Sequence, residues 1–140
     1  MTSRLLLVSS DAAILRAVTS ALDAAASLLQ IDYLPEGGGD IREKFQPNGI
    51  IIDSDARSGV KSAYERIAEA RQHFPSVPVI ALGNEMSAQL VLAALRAGAD
   101  DFLDREADSE QLQSAIQACL KRRSTSIWTP LKFAIPVVVY

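Results

Sequence analysis

Apolar residues along this chain fall into two alternating arrangements, short unbroken runs and longer stretches in which they recur three or four positions apart. The runs are RLLLVS (4–9), QIDYL (30–34), GIIID (49–53), SVPVIALG (76–83) and ADDFL (99–103). GIIID and SVPVIALG are the continuous apolar runs that strands buried on both faces present, and all five segments are predicted to be strands. The stretches between them read as helices. DAAILRAVTSALDAAASLL (11–29) places Ile14, Val18, Leu22 and Leu29 on one stripe, with Asp11 positioned to cap it. DIREKFQ (40–46) is a short, weakly amphipathic helix stopped by Pro47. VKSAYERIAEARQHF (60–74) spaces Tyr64, Ile67, Ala68 and Arg71 helically before Pro75 ends it. MSAQLVLAALRAG (86–98) is a helix with Gly98 at its C-terminal cap. SEQLQSAIQACLKRR (109–123) is a helix capped by Ser109, with Leu112, Ile116, Cys119 and Leu120 inside.

Strict alternation of five strands with five helices implies right-handed crossovers and a parallel sheet covered on both faces. The fold class this predicts is α/β, a doubly wound five-stranded sheet of the flavodoxin-like type in the order 2-1-3-4-5. In such sheets functional groups gather beyond the carboxyl ends of the strands, at the point where strand order reverses. Those ends carry Ser9 and Ser10, Leu34, Asp53, Gly83, and Asp104 with Arg105.

Composition narrows the function. The chain has 140 residues, about half of them apolar, enough for a single domain with one core. A formal charge of -3 provides no broad positive field, so nucleic acid is not an expected partner. The apolar run after MTSR is too short for a signal peptide, and no window approaches the ~20 residues that span a bilayer, so membrane insertion is not expected. The single cysteine, Cys119, allows no intramolecular disulfide and no multi-cysteine metal site, and the expected compartment is a reducing cytoplasm. His73 is the only histidine; near a helix C-terminus it serves the helix dipole. The glycines at 37–39 lack the Lys-Ser or Lys-Thr of a nucleotide-binding loop and read as a turn.

From RLLLVSSD through GIIIDSD to PVIALGNEMSAQLVLAALRAGADDFLDRE, the chain resembles the response-regulator receiver domain, the CheY-like family. The Ala97-Gly98-Ala99 turn followed by Asp-Asp-Phe is the most specific part of the match. The resemblance covers residues 3 to 123 and implies a receiver-like domain over 1–123 with a tail or linker over 124–140. It makes Asp53, at the end of the third strand, the phosphoacceptor position.

The same resemblance exposes what is changed around Asp53. Two acidic residues that would hold Mg²⁺ after the first strand are Ser9 and Ser10 here, and neutral hydroxyls supply no charge to offset the dehydration of the cation. Asp11 follows one residue later, where its side chain is expected to turn away or to cap the helix. Asp55 lies two residues beyond the acceptor. Gly83 stands where a Thr or Ser would bond the phosphoryl group, and Arg105-Glu106 replaces a Lys-Pro. Arg105 keeps the positive charge with a different geometry and is able to fork onto Asp53 as a fixed ion pair. Phe102 takes the position of the family's rotating aromatic residue, without a hydroxyl at 83 to trigger it.

The expectation is therefore an atypical receiver that is not an enzyme, needs no cofactor or metal, and acts by protein contact in signalling, localisation or scaffolding. A working receiver phosphorylated on Asp53 with Mg²⁺ in a two-component phosphorelay is the alternative, and a flavodoxin-like ligand-binding module is a third. Length and pocket losses also resemble the receiver-like part of TadZ/CpaE-type pilus-assembly proteins. Family members commonly pair through the fourth helix, fifth strand and fifth helix, which makes Val91 and Leu95 candidate contacts with a partner protein or a second copy, as a homodimer. The tail STSIWTPLKFAIPVVVY ends in an apolar segment that would promote association if exposed.

Overall fold

The structure is a computed structural model that describes residues 3–22, 26–32, 35, 39–53, 63–83 and 88–127. Five strands, β1 (Ser3–Val8), β2 (Ala26–Ile31), β3 (Gly49–Asp53), β4 (Val79–Gly83) and β5 (Asp101–Asp104), form one parallel sheet in the order β2-β1-β3-β4-β5. The helices are α1 (Ala12–Ala21), a single wide π-type turn α2 (Ile41–Phe45), α3 (Ala63–His73), α4 (Ala88–Ala97) and α5 (Ser109–Ile127). Fold class and strand order are those the sequence predicts.

Alternation within each strand divides the core into two layers. Leu6 and Val8, Ile50 and Ile52, and Val79 and Ala81 face one way, under Ile67 and Ala70 of α3, Phe74 just past its end, and Ala94 of α4. Leu5 and Leu7, Ile51, and Ile80 and Leu82 face the other, under Ile14 and Val18 of α1 and Leu112, Ile116 and Cys119 of α5. Strands β1, β3 and β4 are therefore buried on both faces, which is why they read as unbroken apolar runs.

Several element assignments differ from the sequence reading. α1 ends at Ala21, and β2 begins at Ala26, inside the stretch predicted as helix. Pairing of Leu28 and Leu29 with Leu5 and Leu6 outweighs the helix propensity of the alanines there. The predicted strand end at Leu34 lies outside the described residues, and β2 stops at Ile31. Ala68, expected on the inner stripe of α3, is exposed, while Arg66 is buried. The cap of α5 is Asp108 and not Ser109: Asp108 Oδ1 accepts from the Gln111 N–H at 2.8 Å, and Gln111 Oε1 accepts from the Asp108 N–H at 3.3 Å. That reciprocal pair is a capping box with Asp and Gln as its two members. α5 continues through Ile127, past the predicted helix end at 123.

Gly98 is positioned as predicted. Its φ of 124° lets the Gly98 N–H reach Leu95 O and the Ala99 N–H reach Ala94 O, the two bonds of a Schellman cap on α4.

Candidate functional site

β1 lies between β2 and β3, so strand order reverses at its carboxyl end. Backbone pairing fixes the residues that project there. The Ser9 N–H donates to Ile31 O at 2.9 Å, extending the β1–β2 ladder by one residue, and the Arg105 N–H donates to Gly83 O at 3.0 Å, extending β4–β5. Asp53 terminates β3 between these two points and is 0 % exposed.

A carboxylate so deeply buried requires donors or a counter-charge. Arg105 provides both: Nε donates to Asp53 Oδ1 at 2.8 Å, and one terminal nitrogen donates to Asp53 Oδ2 at 3.1 Å. This is the two-point fork expected of an arginine on a carboxylate. Ser9 Oγ donates a further bond to Asp53 Oδ2 at 2.8 Å. The same terminal nitrogen of Arg105 also reaches Asp11 Oδ2 at 2.8 Å, so one guanidinium ties the end of β5 to β3 and to the start of α1.

Asp11 departs from expectation. It caps α1, accepting from the Ala13 N–H at 2.8 Å through Oδ1, yet it is not turned away, because its other oxygen belongs to the Arg105 cluster. Its backbone N–H also donates to Ser9 Oγ at 3.1 Å. The Ala13 N–H, and after it the bond to Arg105, hold the Asp11 carboxyl below its ordinary range. A group with a depressed folded value contributes stability above its unfolded value, near 3.8, and loses it as pH falls through the lower folded value. Asp11→Asn is accordingly expected to melt below wild type at neutral pH. The difference should close as pH drops under about 4, as followed by thermal unfolding across an acid series.

The remaining predicted positions sort as follows. Ser9 is buried inside the cluster and Ser10 is exposed at its edge. Gly83 contributes its carbonyl to Arg105 in place of a side chain. Phe102 is packed inward against the α3 and α4 layer. Asp55 lies outside the described residues. Val91 is half-buried and packs against the core, while Leu95 is exposed. The outward neighbour of Leu95 is Leu92, missed because an unbroken apolar run gives no clue to which side faces solvent. Gln30 was also missed; its Nε2 donates to Ser9 O from the edge strand.

Among the described residues the donor set does not fit a Mg²⁺ site. Asp11 and Asp53 are the carboxylates brought together among the described residues, both bond to Arg105, and hydroxyls stand at 9 and 10. No group of three His, Cys, Asp or Glu side chains suited to a metal occurs among the described residues. No helix among the described residues is long and apolar enough to cross a membrane.

Several known proteins share this architecture. A CheY-like receiver domain from Methanospirillum hungatei superposes with a TM-score of 0.76 over 90 % of this chain and 99 % of its own, at 21 % identity. NtrX from Brucella abortus gives 0.80 over 91 % of this chain and 28 % of its own, at 17 % identity. At that level these likenesses establish the fold. The KDP operon transcriptional regulatory protein KdpE of Escherichia coli is 30 % identical over 125 residues, covering 89 % of this chain and 54 % of that protein. The chain thus spans about half the length of the curated relative it matches. Residues 46–129, well over half of the chain, match the family described as pilus assembly protein TadZ N-terminal. With that match over residues 46–129 on a receiver fold, the chain belongs to the TadZ N-terminal family.

Proposed function

We propose that this domain acts by contact with other proteins, as a localisation or scaffold element in pilus assembly in the cytoplasm, and that Asp53 is a structural ion-pair partner rather than a regulated phosphoacceptor. The observation that carries this reading is the fork of Arg105 on Asp53, at 2.8 and 3.1 Å. Each Asp53 oxygen that would attack a phosphoryl group already accepts from the guanidinium. Phosphorylation would add roughly 1.5 to 2 negative charges there while forcing Arg105 off its partner. On this reading the domain has no enzymatic activity and requires no cofactor.

Exposed Leu92 and Leu95 on α4 offer an apolar patch for a protein partner. Sedimentation at micromolar concentration tests whether a second copy fills that role; a monomer would leave a different protein as the partner.

The competing reading is a working phosphoacceptor. Intact mass after incubation with acetyl phosphate and Mg²⁺ is expected to be unchanged. A stoichiometric phosphoryl adduct that disappears in Asp53→Asn would overturn the proposal.

A further inference from the structure

α3 carries an arginine, Arg66, for which no carboxylate partner is found among the described residues. Arg66 is the fourth residue of the helix, adjacent to the core residue Ile67, and is 2 % exposed. Both of its terminal guanidinium nitrogens are shut off from solvent, and neither has a hydrogen-bond partner. Arg71 and Arg105, both less buried, are each bonded to a carboxylate. Arg66 has no such bond, although Glu65 and Glu69 lie on the same helix.

Three physical terms act against this arrangement. A guanidinium does not deprotonate in proteins, so burial cannot be relieved by neutralisation as it is for lysine. A desolvated cation without a partner is among the costliest groups a fold can carry. The first turn of a helix also has a partial positive charge, with N–H groups that lack intrahelical acceptors, and a helical side chain leans back over that turn. A single anion at the start of α3 would reverse all three. The crossover from β3 to the parallel β4 puts this turn at the carboxyl end of the sheet, the end where Asp53 and Gly83 terminate their strands.

We propose that the first turn of α3 is an oxyanion-binding site, in which the Arg66 guanidinium and the helix N–H groups hold a small phosphate-, sulfate- or carboxylate-type ligand. Both terminal nitrogens are closed to solvent and without a partner, so the donors such a ligand would meet are already desolvated. A planar guanidinium matches two oxygens of one anion, as arginine does with phosphate or carboxylate, and N–H groups at a helix start suit the same ligand. The site is independent of the Asp53–Arg105 pair and stands whether or not Asp53 accepts a phosphoryl group.

The test is thermal unfolding of the full chain in inorganic phosphate, sulfate or acetate, each against sodium chloride at equal ionic strength. Phosphate at about 50 mM is expected to raise the wild-type Tm by about 4 °C over chloride, as millimolar binding to the native state alone would. Arg66→Met should melt higher than wild type in chloride, because it removes an unbalanced charge, and should lose the phosphate response. A response to phosphate and sulfate but not acetate assigns a tetrahedral anion; an equal response to acetate assigns a carboxylate. The Arg66 Nε–H resonance of ¹⁵N-labelled wild type gives a readout that needs no variant, and it should shift with phosphate and not with chloride. A phosphate effect no larger than that of chloride, a response retained in Arg66→Met, or a static Nε–H signal would each overturn the site.

Discussion

Replacing Arg105 by alanine is expected to lower the free energy of unfolding by about 3 kcal/mol, the range in which breaking a buried ion pair from one side falls. The estimate follows from what is left behind. Asp53 is fully buried and would lose the Nε and terminal-nitrogen donors together, keeping Ser9 Oγ. Asp11 would lose a donor as well, but its side chain is 41 % exposed and water replaces it at little cost. Arg105 is itself 23 % exposed, which argues for the low end of the range. Asp53→Asn should cost less than Arg105→Ala, because it leaves no buried charge and Arg105 retains Asp11. The double variant should be more stable than Arg105→Ala alone, giving a coupling of about 1 to 2 kcal/mol in a mutant cycle. Urea unfolding with an unchanged slope reads these differences. A loss under about 0.5 kcal/mol for Arg105→Ala would make the pair no more than an ordinary surface salt bridge, and the structural role of Asp53 would fail with it.

The ion pair could be anticipated because Asp53 ends β3 and Arg105 directly follows β5. Strand ends are fixed by apolar runs, and parallel pairing then brings residues more than 50 positions apart to the carboxyl end of the sheet. What escaped sequence reading depended on competition between near-equal terms. Ala26 and Ser27 lie in an alanine-rich stretch that suits a helix by propensity, and pairing with β1 makes them the start of β2. Asp11 was legible as a cap because capping is local, but its second bond crosses 94 positions and has no local signature. Arg66 is the opposite case. Charge patterning assigns an arginine to the solvent side of a helix, so a buried, unpartnered guanidinium contradicts the rule by which it would be found. Violations of that kind concentrate where a fold serves something besides its own stability.

Arg71 shows what a well-matched arginine contributes, and its removal should be nearly as damaging as that of Arg105. From the last turn of α3 its Nε and one terminal nitrogen donate to Gly98 O at 3.1 and 2.8 Å, and the other terminal nitrogen donates to Pro75 O at 3.0 Å and Val77 O at 3.3 Å. It also pairs with Asp100, whose Oδ2 accepts from the Val79 N–H at 2.8 Å. One side chain therefore joins the end of α3, the entry to β4 and the Schellman turn after α4. That turn fits closely: a Cβ built on Gly98 would sit 3.0 Å from Arg71 Cβ. Arg71→Ala strips donors from three backbone carbonyls and a carboxylate. At about 1 kcal/mol for each partly buried group, reduced because the side chain is 30 % exposed, the expected loss is about 2 to 3 kcal/mol. Arg71→Lys keeps the charge near Asp100 but cannot span carbonyls lying in different directions, so it should recover less than half of the loss. The distinguishing observation is local. Amide exchange should accelerate at Gly98, Ala99 and Val79 in Arg71→Ala and stay near wild type at the β1–β2 pairing, which this side chain does not touch. Uniform acceleration across the sheet would mean that Arg71 supports the fold globally and does not act as a joint between α3, α4 and β4.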